Sequence, residues 1–206
     1  MSDSPRRQTL VTLDLEGVLI PEVWIATAEA TGIDDLRRTT RDEPDYDVLM
    51  KWRLDVLGRN DLKMADVEKV IATLTPLDGA RAFLDELRSL TQLIILSDTF
   101  EEFARPFMAQ LGLPTVFCHS LLVDDSGAIA DYRLRQTDQK RNAVKAFHGL
   151  NYQVIAAGDS YNDTTMLSEA DHGFLFRAPT NVIDEFPDYP ALESYDDLLA
   201  RITGLL

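Results

Sequence analysis

Short apolar runs that alternate with helix-length amphipathic stretches constrain the fold of this chain more than any other feature of its sequence. Four runs have the length of buried strands and a fifth is weaker: 9–13, 92–96, 115–118, 153–157 and 173–176. The amphipathic stretches between them are 80–90, 101–111, 138–147 and 162–169. Strands joined by helices of this length form βαβ crossovers, so the pattern predicts an α/β fold with a mostly parallel sheet and helices on both faces. Two further runs flank a turn and predict a hairpin attached to the sheet: 121–123 and 129–134.

One interval, residues 21–76, interrupts this alternation. Only helical periodicity is found there: 23–31, 46–57 and 65–74. Because the interval directly follows the first strand, we predict a small helical cap inserted over the carboxyl end of that strand, with hinges near Pro21 and Pro76. The predicted domains are a core of residues 1–20 and 77–206 and a cap of residues 21–76.

The charge balance and the single cysteine exclude several classes of protein. The 20 Lys and Arg residues against 35 Asp and Glu residues give a net charge of −15, which opposes binding to a nucleic-acid backbone. The longest uncharged stretch, 107–123, contains too many polar residues for a membrane span. A lone cysteine, Cys118, cannot form an intramolecular disulfide, and its apolar neighbours indicate a buried structural thiol. We expect a cytoplasmic protein that binds neither nucleic acid nor membrane. No pattern in the sequence sets its oligomeric state.

Acidic and polar side chains follow the first, second and fourth of the predicted strands, and a lysine lies in the first turn of the helix that leads to the fourth. In chain order these residues are Asp14, Glu16, Ser97, Asp98, Lys140, Asp159, Asn162 and Asp163. The carboxyl ends of parallel strands meet at one edge of the sheet, where ligands bind, so we expect these side chains to converge. Converging carboxylates repel each other unless a hard cation lies between them, and oxygen ligands of this kind favour Mg²⁺.

These four ordered motifs resemble those of the haloacid dehalogenase superfamily of phosphatases, and the resemblance extends from residue 9 to about residue 176. The segments 51–57 and 67–79 are similar to the helical cap of phosphoserine phosphatases. The residue types at positions 14–18, 97–99 and 158–163 are similar to those of the ThrH-type subgroup of that family. The resemblance implies a Rossmann-like core and a Mg²⁺-dependent phosphoserine phosphatase. It also implies a small phosphomonoester as partner, with water or homoserine as the acceptor of the phosphoryl group.

The resemblance implies a role for each motif residue, and the chemistry of the side chains agrees with it. Asp14 is expected to attack phosphorus and form an aspartyl phosphate, while Glu16 acts as general acid and then general base. The Ser97 hydroxyl, the Asp98 N–H and the Lys140 ammonium are expected to hold the phosphoryl oxygens. The expected metal ligands are Asp14, Asp159 and the main-chain carbonyl of Glu16. Asp163 is expected to hold Lys140 in place, and Asn162 to contact the phosphate or the rest of the substrate.

Substrate choice is expected to come from the cap. A zwitterionic amino-acid phosphate requires an anion for its ammonium group and a cation for its carboxylate, because burying either charge unpaired is costly. By resemblance these are Glu22 and Arg53. The alternatives are a first-turn helix carboxylate for Glu22 and an exposed, solvated face residue for Arg53. Three large residues of the same region are predicted to fill the core: Trp24, Met50 and Trp52.

Three positions depart from the commoner pattern of phosphoserine phosphatases. Glu16 stands where Asp is usual, Val18 where Thr is usual, and Asp98 where Gly is usual. One additional methylene moves the acid–base carboxyl by about 1.5 Å, so the departures bear on rate and acceptor more than on the class of reaction. Two alternatives stay open: a phosphatase for another small phosphomonoester, and a non-catalytic member of the family that binds a phosphorylated metabolite.

Overall fold

A seven-stranded sheet with strand order β4-β3-β2-β1-β5-β6-β7 forms the centre of the computed structural model, which describes residues 7–40, 42–43 and 45–206. Only the pairing of β3 with β4 is antiparallel. The strands are β1 (Gln8–Leu13), β2 (Gln92–Phe100), β3 (Val116–Val123), β4 (Ile129–Arg133), β5 (Tyr152–Gly158), β6 (His172–Phe176) and β7 (Ala191–Leu192). The predicted α/β class with a mostly parallel sheet is confirmed.

Helices cover both faces of this sheet. They are α1 (Val23–Thr31), α2 (Tyr46–Arg59), α3 (Met64–Ile71), α4 (Ala80–Leu90), α5 (Glu101–Met108), α6 (Gln139–Gly149), α7 (Thr164–Glu169), α8 (Thr180–Glu185) and α9 (Tyr195–Thr203), with short 3-10 turns at Asp34–Arg37 and Tyr161–Asp163. Successive strand residues point to opposite faces. On β1, Leu10 therefore packs into one apolar cluster and Val11 into the other. In the part of the chain that the structure describes, none of the helices is long and apolar enough to cross a membrane.

The interval predicted as a cap contains α1, α2 and α3. Helix α2 begins at Tyr46 because the side chain of Asp45 accepts the backbone N–H groups of Asp47 and Val48, at 3.0 and 3.1 Å. Two contacts join this region to the turn between β3 and β4: the N–H of Met64 donates to the Gly127 carbonyl at 2.9 Å, and Lys63 donates to the Ser126 carbonyl at 3.1 Å. The predicted core and cap ranges also include residues 1–6, 41 and 44, which lie outside the described residues.

Two strands are longer than the predicted apolar runs. Strand β2 continues to Phe100, and its pairing with β3 changes register between Leu96 and Phe100. The polar residues 97–99 that end the apolar run therefore lie on an irregular part of a strand rather than after it. The predicted pieces 115–118 and 121–123 form one strand, β3, because its first half pairs with β2 and its second half with β4.

The C-terminal elements β7, α8 and α9 were not indicated by the apolar runs. Helix α9 nevertheless reaches the loop after β1, because the Tyr195 hydroxyl donates to the Val18 carbonyl at 2.6 Å. The Tyr195 ring stacks between Phe83 and Phe176, with centroid distances of 4.8 and 5.0 Å. This end of the chain thus supports the loop that carries the first acidic motif.

The predicted buried thiol is confirmed, since Cys118 on β3 is 8% exposed. Burial, with contributions from Glu101 and Glu102, raises the pKa of the Cys118 thiol to about 12. The thiolate is the reactive form, so we expect modification of the native protein by a thiol reagent at pH 8 to be about a thousandfold slower than that of the chain unfolded in urea. A reaction of the native protein at the unfolded rate would contradict this placement.

Candidate active site

The sequence-predicted motifs meet at the carboxyl ends of β1, β2 and β5. The N–H of Asp14 donates to the Ala157 carbonyl at 3.0 Å, which joins the end of β1 to the end of β5. A pocket opens at this edge under α1 and α2. Its lining comprises Asp14, Glu16, Glu22, Trp24, Thr39, Thr40, Tyr46, Arg53, Ser97, Asp98, Thr99, Ser160 and Asn162.

A buried lysine links two carboxylates at the floor of the pocket. The ammonium of Lys140 lies 3.0 Å from Oδ1 of Asp14 and 2.7 Å from Oδ1 of Asp163. Burial alone would lower the pKa of Lys140, but the neighbouring carboxylates raise it well above its usual value, so the side chain is a cation. Burial, with a contribution from Asp163, raises the pKa of Asp14 to about 8, and Lys140 opposes this shift. The floor therefore holds a fixed positive charge next to a carboxyl group that is costly to ionise without a further cation.

The turn from Gly158 to Asp163 is shaped around the Asp163 side chain. Oδ2 of Asp163 accepts the N–H groups of Asp159 and Ser160, each at 3.0 Å. A Cβ atom at Gly158 would lie 2.2 Å from Cγ of Asp163, so only glycine fits there. Both oxygens of Asp163 are therefore used within the protein, one by Lys140 and the other by the N–H groups of this turn.

Three buried carboxylates at this floor offer oxygen atoms that lie within 4.8 Å of one another: Asp14, Asp159 and Asp163. Burial, Asp163 and Asp14 together raise the pKa of Asp159 well above its usual value. A Cβ atom at Gly17 would lie 2.5 Å from Oδ2 of Asp159, so glycine keeps the loop close to this carboxylate. A hard divalent cation fits such a set of oxygen atoms, because it would offset the repulsion between Asp14 and Asp159.

Glu16 lies at the entrance to α1. Its Oε2 accepts the N–H of Val23 at 3.2 Å. Burial within the pocket, with a contribution from Glu22, raises the pKa of the Glu16 carboxyl to about 8. Burial therefore favours the protonated form of Glu16, which is the form that a general acid needs at the start of a reaction.

The cap residues predicted to bind substrate both line the pocket. Arg53 is 7% exposed, which makes the solvated-face alternative wrong. Its guanidinium lies 4.8 Å from the centroid of the Trp24 ring and donates to the Arg38 carbonyl at 2.9 Å, while its Nε has no hydrogen-bond partner among the described residues. Glu22 is the N-cap residue of α1, and its side chain makes no capping hydrogen bond.

Several residues of the site were not singled out in the sequence. Trp24 is buried as predicted and packs edge-on against Phe103 at 5.3 Å, but it also forms part of the pocket wall. The Tyr46 hydroxyl donates to the Asp98 carbonyl at 2.7 Å, which ties α2 to the irregular part of β2. Neither residue carries a signal in the sequence that would separate a pocket-wall aromatic from a core aromatic. The other unforeseen lining residues are Thr39, Thr40, Thr99 and Ser160.

Ser97 and Asp98 lie on the irregular part of β2, next to Lys140. Ser97 is 2% exposed, and its hydroxyl oxygen accepts the N–H of Thr99 at 3.3 Å. The sequence predicted only that the backbone N–H of Asp98 holds a phosphoryl oxygen. In the structure the Asp98 side chain also contacts site residues: its Oδ2 accepts a hydrogen bond from Asn162 at 3.0 Å and lies 3.8 Å from the Lys140 ammonium.

Known proteins are similar to this chain in sequence and in fold. The sequence profile of the haloacid dehalogenase-like hydrolases matches residues 9–171. The chain is 62% identical over 189 residues to "Phosphoserine phosphatase ThrH" of Pseudomonas aeruginosa, covering 92% of each protein. It is 60% identical to "Phosphoserine phosphatase" of Pseudomonas syringae pv. tomato, covering 92% of this chain and 80% of that protein. The solved structure described as "Phospho-Aspartyl Intermediate Analogue of Phosphoserine phosphatase" has the same fold, with a TM-score of 0.76 at 20% identity over 91% of this chain and 93% of that one.

Proposed function

Because the chain belongs to the haloacid dehalogenase-like hydrolases, as the resemblance of its four motifs indicated, we propose that it is a Mg²⁺-dependent phosphoserine phosphatase acting through a phosphorylated Asp14. One observation carries the choice of substrate. A buried guanidinium, that of Arg53, and a carboxylate, that of Glu22, line the same pocket as the Asp14 carboxyl group. This arrangement matches the three charged groups of an amino-acid phosphate ester.

In the first step, a carboxylate oxygen of Asp14 attacks phosphorus and the bond from phosphorus to the serine oxygen breaks. The departing serine oxygen takes the proton of Glu16, whose raised pKa provides that proton at neutral pH. The Lys140 ammonium, 3.0 Å from Asp14, lies where it can hold the phosphoryl oxygens on which negative charge accumulates. The Ser97 hydroxyl is proposed to hold a second phosphoryl oxygen.

In the second step, a water molecule attacks the phosphorus of the aspartyl phosphate. Glu16, now ionised, takes the proton of that water, and the bond between phosphorus and the Asp14 oxygen breaks. Inorganic phosphate leaves and Asp14 is restored. The same carboxyl group thus donates a proton in one half of the cycle and accepts one in the other.

The two ends of the substrate are proposed to bind the cap residues. The unused Nε–H of Arg53 and the neighbouring guanidinium nitrogens would bind the substrate carboxylate, and Glu22 would bind its ammonium. Trp24 supports the guanidinium from one face, which reduces the freedom of the Arg53 side chain.

Asp14 and Asp159 are the carboxylates proposed to hold Mg²⁺, together with the main-chain carbonyl of Glu16. When bound, the ion would neutralise these carboxylates and polarise the phosphoryl group.

Thermal unfolding tests this metal site without an activity measurement. At a Mg²⁺ concentration about 100 times its Kd, binding is worth about 2.7 kcal/mol, which raises Tm by about 5–10 °C for a chain of this size. We expect Asp159→Asn to abolish this increase and, because it removes a buried carboxylate, to melt above the wild type when no metal is added. Asp125→Asn, in the exposed β3–β4 turn, should retain the increase. A full increase in Asp159→Asn would contradict the assignment.

A panel of phosphomonoesters with Mg²⁺ tests the substrate. We expect phosphoserine to give a higher kcat/KM than sugar phosphates or nucleotides, which lack one or both of the amino-acid charges. A sugar phosphate or nucleotide ranking first would favour the alternative phosphatase, and no turnover of any ester would favour the non-catalytic alternative.

We also propose homoserine as a second acceptor of the phosphoryl group. After serine leaves, the Glu22 and Arg53 side chains would hold another hydroxyl amino acid facing the aspartyl phosphate, and Glu16 would take the proton of its hydroxyl as it does from water. Incubation with phosphoserine and homoserine should yield phosphohomoserine as well as inorganic phosphate. Phosphate release with no phosphohomoserine would agree with the phosphatase activity and contradict homoserine as a second acceptor.

A further inference from the structure

Asp98 places a carboxylate next to the groups proposed to hold phosphate. A second anion here would repel the phosphoryl group unless its charge were fully engaged by donors. Burial opposes ionisation, but Lys140 and the surrounding donors hold the pKa of Asp98 well below its usual range. Gln139 donates to Oδ1 at 3.1 Å and Asn162 to Oδ2 at 3.0 Å.

His119, on β3, lies on the far side of this carboxylate. The residue is 3% exposed, and its Nε2 lies 3.5 Å from Oδ1 of Asp98. The rings of Tyr46 and Phe100 surround the imidazole, with centroid distances of 5.8 and 6.4 Å. His119 has no part in the proposed reaction steps.

The hydrogen bond at Nδ1 of His119 shows which ring nitrogen carries the imidazole proton. Nδ1 of His119 accepts the backbone N–H of Arg135 at 3.1 Å. A backbone N–H is only a donor, so Nδ1 carries a lone pair and the proton lies on Nε2. His119 is therefore neutral and directs its N–H toward Asp98. The backbone fixes this tautomer, so the donor does not depend on a mobile side chain.

We infer that His119 is a positioning residue for the phosphate-binding groups and acts through Asp98; the inference rests on the proposed phosphatase reaction. With Nε2 3.5 Å from Oδ1, on which Gln139 also donates, His119 favours the orientation of Asp98 in which Oδ2 faces Asn162 and Lys140. The amide of Asn162 and the ammonium of Lys140 are then fixed before phosphate arrives. This arrangement explains how a carboxylate is accommodated where glycine is the commoner residue. The Asp98 carboxylate orients the phosphate-binding donors, and the surrounding donors offset its negative charge.

Kinetics of two His119 variants test the inference. His119→Leu removes the donor and should lower kcat/KM for phosphoserine about tenfold, the loss expected for one hydrogen bond to a charged group. The Ki of inorganic phosphate as a competitive inhibitor should rise by a similar factor, because phosphate requires the same donors. His119→Gln keeps an N–H donor and should restore most of both values. A purely structural role would lower Tm in both variants with no selective effect on phosphate binding.

A double-mutant cycle shows whether the effect passes through Asp98. In an Asp98→Gly background, His119→Leu should change kcat/KM by less than about twofold, because no carboxylate is left to orient. His148→Leu is the matched control, since His148 forms another His–Asp pair, 3.0 Å from Asp171, remote from the pocket; it should leave kcat/KM and Ki unchanged.

The outcomes separate this inference from the proposed function. If the wild type does not hydrolyse phosphoserine, the proposed function fails, and the cycle can be measured with p-nitrophenyl phosphate. If the wild type is active and His119→Leu costs the same tenfold in the Asp98→Gly background, or leaves Ki unchanged, the inference is wrong.

Discussion

Replacement of Asp14 by Asn is expected to lower kcat for phosphoserine by about 10⁴-fold or more, the range found when a catalytic nucleophile is removed. The amide of Asn has nearly the same shape as the carboxylate but does not attack phosphorus. The Lys140 ammonium and the Ser97 hydroxyl stay in place, so substrate binding should persist while turnover stops. Release of inorganic phosphate under saturating phosphoserine and Mg²⁺ measures the loss.

The fold of the Asp14→Asn variant provides its control. Burial raises the pKa of Asp14 to about 8, so at neutral pH the metal-free native protein must bind a proton at this group that the unfolded chain does not bind, which lowers its stability. The variant should therefore melt at or above the Tm of the metal-free wild type. A well-folded Asp14→Asn protein that retains more than about one-tenth of the wild-type kcat would exclude Asp14 as the nucleophile, given the magnitude expected.

The second large effect is expected from Arg53→Ala, which should lower kcat/KM for phosphoserine by about a thousandfold. Removing one partner of a buried charge pair costs about 2–5 kcal/mol, and Arg53 is the buried guanidinium of the pocket. The loss should be confined to substrates with a carboxylate. Phosphoethanolamine, which has the phosphate and the ammonium but no carboxylate, should be hydrolysed by the variant and the wild type at similar kcat/KM.

Arg59→Ala is the matched control on the same helix. Arg59 lies on the exposed side of α2, where it pairs with Asp55 at 2.8 Å, and its removal should leave phosphoserine kinetics unchanged. An equal loss of kcat/KM for phosphoserine and phosphoethanolamine in Arg53→Ala would show that Arg53 supports the cap and does not bind the substrate carboxylate. No loss for either substrate would remove Arg53 from the proposed site.

The sequence predicted the sheet because its strands are buried on both faces and read as apolar runs. Helix α4 was predicted over 80–90, as the structure has it, since its apolar residues recur at helical spacing. Of the C-terminal elements that were not predicted, β7 has only two residues and α8 only six, whereas the nine-residue helix α9 lies beyond the last apolar run. Strand β2 was cut short at Leu96 because a strand that carries a site loses its apolar pattern where its side chains become functional.

The sequence predicted those site residues that follow strand ends in a recognisable order. It did not predict the contacts that depend on tertiary packing. The resemblance of the motifs implied that Asp163 holds Lys140 in place, and the two side chains lie 2.7 Å apart. The burial of Arg53 depends on tertiary contacts with Trp24 and the Arg38 carbonyl, which no local pattern records. The engagement of Asp98 by His119 joins residues on two different strands, so only the folded sheet brings them together.

Direct detection of the phosphorylated enzyme tests the central claim. The protein is mixed with phosphoserine and Mg²⁺, quenched in acid during steady turnover, digested and analysed by mass spectrometry. We predict a peptide that carries one additional phosphoryl group on Asp14, which disappears when hydroxylamine is added and is absent from Asp14→Asn. Steady release of phosphate with no phosphorylated Asp14, or with the phosphoryl group on another residue, would contradict the account.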